Sequence, residues 1–131
     1  MVRILAFTVI ALGLVCCQQS DEHLNKFSDP VRLKIADLKD RRLGDSLYPY
    51  FDDKNEIYRA DAAEAFGSIQ DSSAMDKLAR LLNTDPAPSA RKAAAFALGQ
   101  TRRSGIDDLL LKAVGTEKDP EVTFEILNAY G

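Results

Sequence analysis

The stretch Arg91-Lys92-Ala93-Ala94-Ala95-Phe96-Ala97-Leu98-Gly99-Gln100, set beside Tyr58-Arg59-Ala60-Asp61-Ala62-Ala63-Glu64-Ala65-Phe66-Gly67, decides the fold. Gly67, Gly99 and Gly131 are equally spaced, since 99 − 67 = 32 and 131 − 99 = 32. Each follows an alanine and a large apolar residue: Ala65-Phe66, Ala97-Leu98 and Ala129-Tyr130. Self-similarity at such a period is the signature of a repeat architecture. Toward the N-terminus of each glycine lie the sets Tyr58, Ala62, Ala65, Phe66; Ala90, Ala94, Ala97, Leu98; and Val122, Ile126, Ala129, Tyr130. Their i, i+4, i+7, i+8 spacing is one stripe of an α-helix. The alanines let a neighbouring helix approach closely, and each glycine stands where a left-handed residue would end the helix.

A second stripe follows each glycine: Ala74, Leu78, Leu81, Leu82 and then, 32 residues on (74 + 32 = 106), Ile106, Leu110, Ala113, Val114. Ser72 and Ser104 stand where N-caps are wanted, and Asp119-Pro120 reads as a cap followed by proline at the first helical position. Pro88 occupies the same register, and Asn55 supplies a cap one repeat earlier. A degraded first copy begins at Asp29-Pro30 with Val31, Ile35 and Leu38, and continues with Leu47, Tyr50 and Phe51, where Pro49 should shorten the helix. The aromatic-rich stretch of Tyr48, Tyr50, Phe51 and Tyr58 is expected to pack in the core, with a peptide-binding patch as the sharper alternative. A helix pair of this kind cannot bury its apolar faces alone, so neighbouring pairs stack. The expected fold is all-α: a short right-handed α-solenoid of antiparallel helix pairs over residues 29–131, about three repeats with the last truncated.

The two quoted stretches resemble HEAT-like repeats of the type found in phycobiliprotein lyases. That resemblance covers nearly all of the chain after residue 28 and implies a fold, not an activity, because scaffolds, adaptors and enzymes share the repeat.

The first 17 residues read differently. A single base, Arg3, precedes an apolar run from Ile4 to Val15 and the only two cysteines, Cys16 and Cys17. The run is shorter than the roughly 20 apolar residues that span a bilayer, so it reads as an export signal. Leu14-Val15-Cys16-Cys17 resembles the lipobox of bacterial lipoproteins, with Leu14 three residues before Cys17 and Cys16 in the small position. The resemblance implies acylation of Cys17, which leaves no free thiol in the mature chain. Each buried CH₂ is worth about 0.8 kcal/mol, so several acyl chains make the attachment effectively permanent. Residues 18–28 are polar and read as a flexible tether. The expected address is the bacterial cell envelope, anchored to the bilayer by lipid and facing the periplasm or the outer membrane.

Sites of chemistry are scarce. The chain's one histidine, His23, lies in the tether, and a lone imidazole cannot assemble the di-iron centre of deoxyhypusine hydroxylase, a metalloenzyme family built on HEAT-like repeats. No metal and no cofactor are expected. The serines stand in turns or at caps without an activating base, and no phosphate-cradling glycine pattern occurs. A net charge of −3 argues against a nucleic-acid partner.

Recognition surfaces are the remaining expectation. Asp76 and Arg80, and 32 residues later Asp108 and Lys112, fall on the exposed side of the second helices. They form either a strip for a protein or peptide or ordinary i,i+4 ion pairs. Arg59 and Arg91 are expected to pair with acids in the turns between repeats. The last helix, carrying Val122, Phe124, Ile126, Leu127 and Tyr130, has no second helix after it, and its uncovered stripe should meet a partner, another copy included. The first reading of function is a membrane-anchored interaction scaffold without catalysis. The second is the front of a longer lipoprotein. Phe27-Ser28-Asp29-Pro30-Val31-Arg32 and Asp40-Arg41-Arg42 resemble the start of proteins in which such repeats precede a cyclophilin-type peptidyl-prolyl isomerase domain.

Overall fold

The computed structural model describes residues 28–131; Cys17, His23 and the leader lie outside the described residues. The described residues form seven α-helices: α1 (Pro30–Asp40), α2 (Gly44–Leu47), α3 (Glu56–Ile69), α4 (Met75–Thr84), α5 (Pro88–Thr101), α6 (Ile106–Val114) and α7 (Pro120–Tyr130). The longer first helices of the repeats, α1, α3, α5 and α7, pack side by side in that order. The second helices lie along one flank of this row, and the apolar stripes of both sets merge into one continuous core.

The helix starts follow the capping chemistry. Asp29 Oδ1 accepts from the Val31 and Arg32 amides at 2.8 and 3.2 Å, and Asp119 Oδ1 from those of Glu121 and Val122 at 2.9 and 3.1 Å, each with proline at the first helical position. Asn55 Oδ1 accepts from Ile57 N at 3.0 Å. Pro49 has no N–H to continue α2, which stops at Leu47, and the chain tightens into a 3₁₀ turn over Tyr48–Asp52.

Two capping expectations are corrected. Ser72 does not cap; Asp71, one residue earlier, accepts from Ser73 N at 2.8 Å and opens the 3₁₀ turn Ser72–Ala74 that leads into α4. Ser104 does not cap α6 either, because the preceding residue is Gly105, in left-handed backbone geometry at φ +89°.

Gly67 and Gly99 are also corrected, whereas Gly131 caps α7 as its position suggests. Helix α3 runs through Gly67 to Ile69 and turns out at Gln70 (φ +57°), while α5 runs through Gly99 to Thr101 and turns at Arg102 (φ +47°). What requires the glycine is helix contact. A Cβ on Gly67 would lie 2.8 Å from the Phe96 ring and 3.1 Å from Ala97 Cα, and one on Gly99 would lie 2.7 Å from Ala129 Cβ and 2.9 Å from its Cα. Gly67 and Gly99 therefore set how closely successive first helices approach.

Each second element rests chiefly on the first helix that follows it: Tyr48–Asp52 on α3, α4 on α5 and α6 on α7. This changes the reading of the last helix. Val122 and Ile126 are fully buried, because α5 and α6 already cover that side of α7. The early aromatic residues pack inward: Phe66 is fully buried, stacked on Tyr48 at 5.5 Å between centroids and tilted against Phe51 at 5.4 Å.

Candidate interaction surfaces

The turns between repeats are held by half-buried arginines. Arg59 reaches from α3 to the turn before α5, donating Nε to Asp85 Oδ2 at 2.7 Å and Nη2 to Oδ1 at 2.8 Å. Its Nη1 donates to the Asp53 and Lys54 carbonyls, in the turn before its own helix, at 2.8 and 3.2 Å. Arg91, one repeat on, does the same with Glu117 at 2.8 and 2.9 Å and with the Asp85 and Pro86 carbonyls at 2.9 and 3.2 Å. The fork geometry of guanidinium suits both tasks at once. These arginines pair with acids of the inter-repeat turns, as their spacing suggests.

The pairing shows in acidity. The Arg91 guanidinium pulls the Glu117 carboxyl from 4.5 down to about 2, assisted by the Asp119 and Lys118 amides against the cost of burial. Burial pushes the Asp85 carboxyl up, but the bonds from Arg59 and the Ala87 N–H outweigh it and leave the group below its ordinary value. A carboxyl depressed in the folded state adds stability above its unfolded pKa and loses it as pH falls toward the folded value. Stability should thus fall between about pH 4.5 and 2, with Glu117 contributing up to about 3 kcal/mol of the loss. Urea midpoints measured across that range check this. In Glu117→Gln the drop should shrink by that amount, and an unchanged drop would place the titration elsewhere.

On the second helices, Asp76, Arg80, Asp108 and Lys112 are all exposed. Arg80 does not pair with Asp76; it reaches back a repeat to Asp52 at 2.7 Å, and no ion pair joins Asp108 to Lys112. Neither i,i+4 pair forms; for Arg80 the bridge across the repeat interface to Asp52 takes its place. Arg80 and Asp52 border a smaller hollow of about 320 Å³ between the 3₁₀ turn Tyr48–Asp52 and the end of α4.

Two larger grooves lie on the side formed by the first helices, which sequence reasoning passed over. One, of about 650 Å³, runs between α3 and α5 and is lined by Ile57, Ala60, Asp61, Glu64, Ser89, Lys92, Ala93 and Phe96, with Arg32 of α1 and Glu125 of α7 at its ends. Arg32 holds Asp61 at 2.6 and 3.1 Å, and Lys92 holds Glu121 at 3.0 Å. A second groove of about 730 Å³ continues past Phe96 and Glu125 between α5, the start of α6 and the end of α7. The signal for the first was in the register: Phe96 stands where Glu64 and Asn128 stand (64 + 32 = 96, 96 + 32 = 128), an aromatic ring at an outward position.

On α7, Phe124 is 65 % exposed, Leu127 51 % and Tyr130 47 %, whereas Val122 and Ile126 of the same expected surface are inside. Register shows how this face differs from its equivalents. Thr123 replaces Arg59 and Arg91 (91 + 32 = 123) and donates its hydroxyl to its own Asp119 carbonyl at 2.9 Å. Leu127 replaces the fully buried Ala63 and Ala95 (95 + 32 = 127). The arginine that holds the next turn and the alanine that admits the next helix are both missing from α7.

Among the described residues no helix is long and apolar enough to cross a membrane, and no group of three or more His, Cys, Asp or Glu side chains could hold a metal ion. The family model described as HEAT repeats matches residues 44–131, more than half of the chain. No curated protein and no solved structure matches it.

Proposed function

Because the chain belongs to the HEAT-repeat family, we propose that it is a protein-interaction scaffold without catalytic activity of its own, held to the bacterial cell envelope by acyl chains on Cys17. The observation that supports it is the outer face of α7. Phe124, Leu127 and Tyr130 present a stripe at helical spacing with no charged residue on it. Exposed apolar stripes of this kind mark contact surfaces, and leaving each such side chain in water forgoes about 1.5–3 kcal/mol of burial.

The three side chains together expose on the order of 300 Å², so an α7-to-α7 pair would bury about 600 Å², short of the roughly 1,000 Å² a stable dimer needs. The occupant is accordingly a segment of another protein that covers α7 and its surroundings, and a second copy is the weaker choice. A photo-crosslinker placed at position 127 in cells should form a discrete adduct, lost when Phe124 and Tyr130 are changed to serine. A chain that is monomeric and forms no adduct at 127 would remove this reading.

The second reading, in which these repeats precede a cyclophilin-type peptidyl-prolyl isomerase domain, draws on the same face, because a following segment of chain would cover it. Intact mass of the membrane-extracted protein separates the two. Residues 17–131 plus acyl mass favours the anchored module, the same chain without acyl mass removes the anchor, and a much larger mass moves the search for catalysis downstream.

A further inference from the structure

The groove between α3 and α5 has a chemistry of its own. Its wall is the Phe96 ring, 36 % exposed although the register equivalents are polar, and held in place because Gly67 beneath it has no side chain. Ile57, exposed on the facing helix, and the small residues Ala60, Ala93 and Ser89 leave an apolar trough. Its lining carries two bases, Arg32 and Lys92, and three acids, Asp61, Glu64 and Glu125. Arg32 is taken by Asp61, and Lys92 by Glu121 from outside the lining, which leaves Glu64 of α3 and Glu125 of α7 in no ion pair, lining the groove together with Phe96. The five charges of the lining sum to −1, from +2 and −3, and Glu121 beside Lys92 brings the sum to −2.

We infer that this groove binds an extended segment of a partner protein carrying an arginine or lysine beside an apolar residue. The cation lies over Phe96 between Glu64 and Glu125, and the apolar neighbour lies against Ile57 and Ala93. A cation over an aromatic face gains from the ring quadrupole, more so where the groove excludes water. An extended chain suits the site better than a compact ligand, because Phe96 and Glu125 also line the second groove and make one continuous track past α5. The inference rests on the scaffold function proposed above and supplies a partner chemistry for a surface other than the α7 face.

The test uses the full chain and two short labelled peptides, one alternating leucine and arginine, the other with glutamate in place of arginine, followed by fluorescence anisotropy. The arginine peptide should bind at least about tenfold more tightly, with affinity falling as salt rises. Glu64→Gln with Glu125→Gln, two polar replacements outside the core, should cost at least about tenfold, and Phe96→Ala a similar factor. Asp76→Asn with Asp108→Asn removes the same charge from the second helices and should leave binding as it was. If that second pair abolishes binding while the groove pair does not, the recognition strip lies on the second helices; the groove is then wrong and the scaffold reading survives. Equal binding of both peptides, or none of either, overturns the groove, and the scaffold reading is then decided by the adduct at position 127.

Discussion

Replacing Arg59 with alanine should lower the stability of the protein by about 3–5 kcal/mol, the usual cost of breaking a buried ion pair from one side. The side chains of Arg59 and Asp85 are 11 % and 5 % exposed. Without the guanidinium, Asp85 keeps a charge it cannot hydrate, and the Asp53 and Lys54 carbonyls lose their donor. The loss falls on two consecutive turns, so the register between α3 and α5 loosens as well as the pair itself. Urea denaturation followed by far-UV circular dichroism measures it, and the melting temperature should drop by on the order of 15–25 °C. Arg59→Lys keeps the charge but not the fork and should recover only part of the loss. A change below about 1 kcal/mol for Arg59→Ala would class the pair with exposed salt bridges.

Gly99→Leu should cost a similar amount by a different route. The Cβ alone would stand 2.7 Å from Ala129 Cβ and 2.9 Å from its Cα, so no side-chain rotation relieves the overlap and α7 must move. Moving α7 exposes Val122 and Ile126, each worth about 1.5–3 kcal/mol of burial. The expected loss is about 3–5 kcal/mol, against a gain of at most about 1 kcal/mol from replacing glycine inside a helix. Gly115→Ala is the control, since its nearest neighbour would be 3.4 Å away, and it should melt within a degree or two of the parent. Equal melting of Gly99→Leu and the parent would mean that α7 is not held against α5.

Much of the architecture was legible because stacked repeats need the same few residues at each turn of the stack. The stripes Ala74, Leu78, Leu81, Leu82 and Ala90, Ala94, Ala97, Leu98 are buried as their spacing requires. The caps at Asp29, Asn55 and Asp119, the shortening at Pro49 and the arginine pairing with inter-repeat acids follow from local chemistry of the residues themselves. Gly67 and Gly99 were read as helix ends because a glycine after an apolar stripe satisfies that pattern; the pattern does not distinguish a turn from a close helix contact. The face of α7 was misread in part for a related reason. Which second helix covers which first helix is a matter of stacking order, and α6 covers α7 from the preceding repeat.

Sequence alone determined the all-helical class, the period of 32 and the inward side of nearly every helix, since all three are carried by spacing along a single helix. It also held, unread, the substitutions at 96, 123 and 127 that mark the outward surfaces. Tertiary structure decided what faces what: Arg80 with Asp52 rather than Asp76, Phe96 over Gly67, and Glu64 and Glu125 gathered at one groove from helices about two repeats apart. Such juxtapositions arise from the distance and rotation between stacked helices, which no period within one helix contains.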